Sequence, residues 1–365
     1  MNLSKFKLEN NKINVLILCP TLNSKGGVSY YYFLVNKHFS SSTIKTHFFY
    51  IGNEKRNPTF YSRLFKSLSD LIKLTLIFSR FDLIVFNPSL DPKSLIRDGI
   101  FHLIAKSIFH KKTIVFFHGW TLKFEQLINN KFSKLFQSIY KGSKIIVLSS
   151  QFKNTLVNWN IDPKSITVGK TLFELPLNFK LNNNPLNLVF LSRFDFNKGC
   201  FTAIKTIELL IAEYPQIKLY MVGDGVLLPK LKSYVEKNNL QKFIIFTGWL
   251  DGKSKYEILA KSGIMLYPTK YGEGMPISLL EGMGFGLAII SRPIAGILDV
   301  IMDHKNGFLI STSNPVDFAS KVKKLIVNPK LLKNISNTNL NVAYTKFNIK
   351  AEIKNIENTY YYASL

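Results

Sequence analysis

The chain is 365 residues long with 46% hydrophobic and 19% charged residues, a composition that excludes a disordered tail protein and allows two globular domains. It carries 48 Lys and Arg against 23 Asp and Glu, a net charge of +25, and so calls for something anionic among its partners: nucleic acid, phospholipid head groups or a phosphorylated substrate. Two cysteines far apart in sequence, Cys19 and Cys200, exclude a disulfide framework and suit a reducing compartment.

Residues 1–11 are polar, with Lys5, Lys7 and Glu9, and lack the apolar core and cleavage site of a secretory signal. No stretch reaches the ~18 uncharged apolar residues of a membrane span. The expectation is a cytoplasmic protein, soluble or peripheral at the cytoplasmic face of the membrane.

Apolar β-type runs follow at 13–19, 45–51, 82–86, 113–117, 144–149 and 165–168, then at 188–192, 218–222, 243–246, 264–267, 287–291 and 307–310. Most are apolar throughout instead of alternating, as strands buried on both faces must be. Helical patterns lie between them, which predicts an α/β protein with parallel sheets covered by helices on both sides. One such pattern, residues 60–80, combines Leu64, Phe65, Leu68, Leu71, Ile72 and Leu76 with Arg63, Lys66, Lys73 and Arg80. It reads either as a basic amphipathic helix against a membrane or as a crossover helix packed on its sheet. The polar segment 174–187, with Pro176, Pro185 and Asn182-Asn183-Asn184, reads as a linker between two doubly wound domains. The final stretch, 347–361, has helical spacing and no strand after it. Charge is uneven: residues 1–180 hold 26 Lys and Arg against 9 Asp and Glu, and residues 181–365 hold 22 against 14. A Lys- and Asn-rich sequence can also be basic without any partner to match.

Ligands of open parallel sheets bind beyond the carboxyl ends of the strands, so the turns after the runs hold the candidate site. After the first run, Gly26-Gly27 leads into a helix, where adjacent glycines either let backbone N–H groups approach an anion or simply make a flexible turn. It is not the G-x-G-x-x-G fingerprint. After 113–117 comes His118-Gly119-Trp120, whose histidine either binds a ligand or is satisfied within the fold. After 188–192, Arg193 and Lys198 offer a guanidinium fork and a point charge to a diphosphate, or are two solvated loop cations.

The sharpest turn follows 264–267 and runs Gly272-Glu273-Gly274-Met275-Pro276-Ile277, with Glu281-Gly282-Met283 beyond. Pro276 is expected in the first turn of a helix, where proline is favoured. Free N–H groups and the helix dipole there suit a phosphate, and Gly274 permits close approach. Glu281 lies about 7.5 Å further along the axis with its side chain leaning back, placed for the hydroxyls of a ribose. Glu273 could face the hydroxyls of a sugar on the other side. The plainer alternative is a helix cap and a surface glutamate.

With these residues laid out, the chain resembles the group 1 family of retaining glycosyltransferases, whose GT-B fold has two doubly wound Rossmann-like domains facing across a cleft. The match is strongest over 188–345 and rests on residues 189–199, Gly223-Asp224-Gly225, Gly248, 268–283 and Asn306-Gly307. Glu273 and Glu281 make the family's E-x7-E signature. The first half rests on Gly26-Gly27 and His118. The resemblance implies an acceptor-binding domain at 1–178, with a helix at 347–365 packing back on it, and a nucleotide-sugar-binding domain at 186–346. Arg193 and Lys198 would hold the diphosphate and help it leave, Glu281 would bind ribose and Glu273 the transferred sugar. Gly26 and Gly27 would close on the phosphates and His118 would contact the sugar. Gly223, Gly248, Gly274, Met275, Pro276 and Ile277 would complete the donor surface. No metal and no cofactor are implied beyond the donor itself, a nucleoside-diphosphate sugar with UDP favoured. The acceptor would be a saccharide or lipid-linked saccharide of cell-surface polysaccharide synthesis, met at an anionic membrane surface, with no nucleic acid involved. Removing Lys198 is expected to cost rate more than folding.

Gly282 stands where the family usually has alanine, and Gly286-Leu287-Ala288-Ile289 replaces its Gly-x-Pro-Val. An extra glycine weakens a helix by ~1 kcal/mol, which bears on the helix's length. A nicotinamide-dependent oxidoreductase would need a complete glycine fingerprint directly after a strand with an acidic ribose partner, and neither Gly223-Asp224-Gly225 nor Gly282-Met283-Gly284 supplies one. A non-catalytic basic binder of lipid or nucleic acid is compatible with the charge, yet leaves Glu273 and Glu281 unexplained and lacks a recognised nucleic-acid module.

Overall fold

The computed structural model describes residues 11–52, 59–175 and 179–365; most of the polar N-terminus and Pro176 of the expected linker lie outside the described residues. The chain divides into two compact units, one running to Leu172 and taking back Ile349–Leu365, the other Phe173–Asn348.

The first unit holds β1 (Ile13–Cys19), β2 (Ile44–Tyr50), β3 (Leu83–Phe86), β4 (Ser89–Leu90), β5 (Lys112–Phe117), β6 (Gly119–Trp120), β7 (Lys144–Val147) and β8 (Ile166–Val168). The second holds β9 (Asn184–Leu191), β10 (Lys218–Val222), β11 (Ile244–Gly248), β12 (Ser262–Tyr267), β13 (Ala288–Ser291) and β14 (Gly307–Leu309). Every apolar run of the sequence is a strand. Three inner strands are apolar because both faces are covered: β3, β12 and β13 are buried at every position. Two strands were too short to leave a period. β4 and β6 pair in parallel just past β3 and β5, and a Cβ on Gly119 would lie 2.6 Å from Ser89 Oγ.

All pairings are parallel, in the orders β2-β1-β3-β5-β7-β8 and β11-β10-β9-β12-β13-β14. Each sheet starts at an inner strand, winds outward one way, then returns to the other side. The reversals fall between β1 and β3 in the first unit and between β9 and β12 in the second, and at such switch points ligands enter doubly wound sheets.

The expected linker is shorter than its composition suggested. Asn184–Asn187 belong to β9, because Asn184 Oδ1 accepts from the Leu186 N–H at 3.0 Å and Asn187 Nδ2 donates to the Lys261 carbonyl at 3.1 Å. The helix Pro329–Lys346 stops at Phe347, and the separate helix Ile349–Ser364 packs within the first unit. There Lys170 pairs with Glu352 at 2.5 Å and the Tyr360 ring lies 6.1 Å from that of Phe39.

Three loops at the carboxyl edge of the second sheet are pressed together, and glycines make room for them. A Cβ on Gly199, whose φ is +77°, would sit 2.2 Å from the Pro268 carbonyl oxygen; one on Gly223 would sit 2.0 Å from that of Ser192. Gly248 has φ +72° but opens onto free space. Gly199→Ala should therefore lose about 3 kcal/mol, backbone strain plus collision, whereas Gly248→Ala should lose only the strain, about 1 kcal/mol. Urea unfolding of both variants measures this, and equal losses would contradict the packed-loop description.

Candidate functional site

The second unit's switch point is where the sequence placed most of its candidates. The loop after β9, residues 192–199, meets the turn after β12, residues 268–276. The Lys270 N–H donates to the Asn197 carbonyl at 2.7 Å, and Thr269 Oγ1 lies 3.3 Å from the same oxygen. The loop after β13 closes the far side, with the Gly296 N–H on the Glu273 carbonyl at 3.0 Å.

Lys198 and Glu273 form the centre of this junction. Lys198 Nζ lies 2.6 Å from Glu273 Oε1, both side chains are buried, and the ammonium sits 4.3 Å from the centroid of the Tyr271 ring. The same oxygen accepts from Thr269 Oγ1 at 3.0 Å and from the Tyr267 hydroxyl at 3.2 Å. A buried ion pair is tolerable only with such further donors. Oε2 takes no hydrogen bond from any described residue, so one face of the carboxylate is left for a hydroxyl group. Tyr267 is held neutral by burial and then by the neighbouring Glu273 charge.

The helix Ile277–Gly284 begins one residue later than expected. Pro276 is its N-cap, with φ −70° and ψ 121°, and its carbonyl accepts from Leu279 and Leu280. A cap has extended backbone, which proline's fixed φ allows without a helical ψ. The N–H groups of Gly274, Met275, Ile277 and Ser278 find no acceptor among the described residues. Four neighbouring unpaired donors at a helix N-terminus make an anion site by charge and by geometry. Met275 and Pro276 are buried, while Gly274 and Ile277 are half-buried.

Glu281 is buried on this helix and makes an ion pair the sequence reading missed, with Lys255 Nζ 2.6 Å from Oε1. Lys255 comes from the helix Gly252–Lys261, which follows β11. Burial raises the Glu281 pKa and Lys255 pulls it back. Lys255 stands in a stretch of surface-like lysines, and only the fold distinguishes it. Gly282, the departure from the family pattern, has a structural reason: a Cβ there would lie 2.7 Å from Met265 Cε on β12.

The cations are thus divided differently from the expectation. Arg193 is exposed with no partner among the described residues, free to meet a ligand. Lys198 is already paired with Glu273, so removing it would strand a buried carboxylate and should cost stability as well as rate. No direct contact joins Arg193 or Glu281 to the Lys198–Glu273 pair. Gly223 accommodates the Ser192 backbone and is not open to a ligand through its missing side chain, unlike Gly248. No group of three or more His, Cys, Asp or Glu residues that could hold a metal ion occurs among the described residues.

In the first unit, Gly26 caps the helix Gly27–His38, both glycines are exposed, and a Cβ on Gly26 would meet nothing within 4 Å. Tyr31 and Tyr32 of that helix lie against the His118 ring, with centroids at 5.1 and 6.0 Å, and Phe116 lies at 3.8 Å. Asn87 Nδ2 donates to the Leu18 carbonyl at 2.9 Å, which fixes Oδ1 as the acceptor for Tyr32 OH at 2.6 Å and His118 Nε2 at 3.1 Å. His118 therefore carries its proton on Nε2, and burial lowers its pKa to about 3. The ring is neutral, with Nδ1 as a hydrogen-bond acceptor. That suits binding a hydroxyl group better than taking part in proton transfer near neutral pH.

Residues 175–341 match the family of glycosyl transferases group 1. An uncharacterised glycosyltransferase of Methanocaldococcus jannaschii is 27% identical over 249 residues, 64% of this chain and 63% of its own length. A putative colanic acid biosynthesis glycosyltransferase, WcaL, of Salmonella typhimurium is 21% identical over 197 residues, 51% of this chain and 48% of that protein. The chain thus spans between about half and just under two thirds of the length of these curated relatives. Among solved structures, the Anabaena protein HepE in complex with UDP and glucose superimposes with a TM-score of 0.74 at 14% identity, covering 97% of this chain and all of that one. Together with the two parallel Rossmann-like sheets, this establishes the fold as GT-B.

The Lys255–Glu281 pair can be tested without any substrate. A carboxylate with a raised pKa makes the folded state lose stability as pH rises through that pKa, and removing Lys255 enlarges the loss. Lys255→Met should cost about 3 kcal/mol, with the deficit growing as pH rises through the carboxylate range, and the double variant Lys255→Met/Glu281→Met should recover most of it. Urea midpoints across pH measure this; a single variant as stable as the parent would contradict the pairing.

Proposed function

From the premise that the chain belongs, through its second unit, to the group 1 glycosyltransferases, we propose that it moves a sugar from a nucleoside-diphosphate sugar, UDP-linked by preference, to a saccharide or lipid-linked acceptor in cell-surface polysaccharide synthesis. The transfer retains anomeric configuration and needs no metal, and the protein works in the cytoplasm against an anionic membrane. One observation carries the reading: the run of unpaired N–H groups from Gly274 to Ser278, set between buried Glu273 and Glu281 at the sheet's switch point. A bare anion site has no use for two flanking carboxylates, whereas a diphosphate joined to a ribose and a sugar does. The UDP bound by HepE and the biosynthetic name of WcaL support the choice of donor and pathway class.

In this assignment the diphosphate caps the helix Ile277–Gly284, and exposed Arg193 folds onto it. Glu281, held by Lys255, accepts the ribose hydroxyls. Glu273 turns Oε2 to hydroxyls of the transferred sugar, and Lys198 lies next to the leaving phosphate. As the glycosidic bond breaks, negative charge grows on the departing diphosphate, and the N–H groups, Arg193 and Lys198 stabilise it without reorganisation. In this reading the first unit binds the acceptor.

A thermal-shift series with UDP, GDP and ADP tests the donor site. UDP at a hundred times its dissociation constant should stabilise the protein by about 2.7 kcal/mol. No response to any of the three would overturn the reading. Glu273→Gln should lower transfer by at least about 10²-fold while the UDP response persists. Because His118 is already neutral, His118→Asn should lower transfer without moving the acid limb of the pH–rate profile; a shifted limb would make His118 a titrating base.

A further inference from the structure

The helix Phe60–Thr75 is built inside out. Its inward side carries Asp70, 2% exposed and paired with Lys66 Nζ at 2.5 Å, together with Leu74 and half-buried Leu71. Its outward side carries Tyr61, Leu64, Phe65, Leu68, Ile72 and Leu76, all exposed, with Phe65 at 72% and Ile72 at 63%. These positions recur every three to four residues and trace one stripe about 22 Å long at 1.5 Å per residue. A helix that merely crosses over its sheet places such residues inward and leaves carboxylates in water. The neighbouring helix Pro92–Leu103, which packs against it, repeats the pattern with Ile96, Ile100 and Leu103 exposed at i, i+4 and i+7.

We propose that this apolar stripe is a docking surface for an anionic lipid bilayer, lying in the plane of the headgroups with its side chains in the acyl boundary. Two observations select lipid over other occupants. The surrounding half of the chain is strongly basic, 26 Lys and Arg against 9 Asp and Glu in residues 1–180, which matches an anionic surface and sets two copies of the face against each other by charge repulsion. Lys73 flanks the stripe and Arg80 follows it, where cations meet headgroups while the apolar side inserts. No helix among the described residues is long and apolar enough to cross a membrane. The proposal gives the lipid-linked acceptor suggested above a membrane for the enzyme to meet. It stands on the helix alone, and vesicle binding can fail while donor binding survives.

The test is co-sedimentation of the full chain with phosphatidylcholine vesicles, with and without phosphatidylglycerol. The parent protein should sediment with the anionic vesicles and stay in solution with the neutral ones. Phe65→Glu/Ile72→Glu, both at exposed positions, should lower the bound fraction at least ~tenfold while keeping the parent's melting temperature and UDP response. Phe65→Trp should show a blue-shifted emission on anionic vesicles, reporting insertion. Three results would overturn the proposal: the parent remaining in the supernatant with anionic vesicles, equal binding by the double variant, or a parent dimer in solution that the double variant dissolves.

Discussion

The ion pair between Lys198 and Glu273 fixes the rest of the site. It joins the loops on either side of the second sheet's switch point, the one place where two neighbouring strands send their chains apart. Neither charge could be buried alone, and together they hold only because Thr269 and Tyr267 supply further hydrogen bonds to the same oxygen. That arrangement settles which way Glu273 faces and keeps a cation next to the helix N-terminus. A diphosphate arriving there would meet a carboxylate already screened by its own lysine. Glu281 repeats the arrangement with Lys255, so each of the two signature glutamates carries a private counter-ion.

The architecture was legible because parallel strands buried on both faces have to be apolar throughout, and runs such as 264–267 and 287–291 have no other good home. The short strands β4 and β6 were illegible for the same reason, since two residues cannot show a period. Asn184-Pro185 looked like linker because asparagine and proline signal turns; the structure satisfies the asparagines with backbone groups and makes the segment the start of β9.

Much of the site was readable from glycine, proline and glutamate spacing in residues 268–283, since local backbone geometry and short-range reach are written locally. What escaped were contacts that depend on distant segments: Lys255 reaching Glu281, Lys198 spent on Glu273 instead of standing free, and Asn87 orienting His118. The helix Phe60–Thr75 shows the same limit. Its amphipathic period was plain, but which side would face inward depended on burying Asp70 with Lys66, a choice no periodicity records.

A crystal structure of the protein soaked with UDP tests the central claim most directly. The account predicts the diphosphate on the N–H groups of Gly274–Ser278, close enough to Lys198 for a hydrogen bond, with the ribose hydroxyls on Glu281. A nucleotide bound elsewhere on the second unit, or one whose phosphates leave those N–H groups untouched, would contradict it.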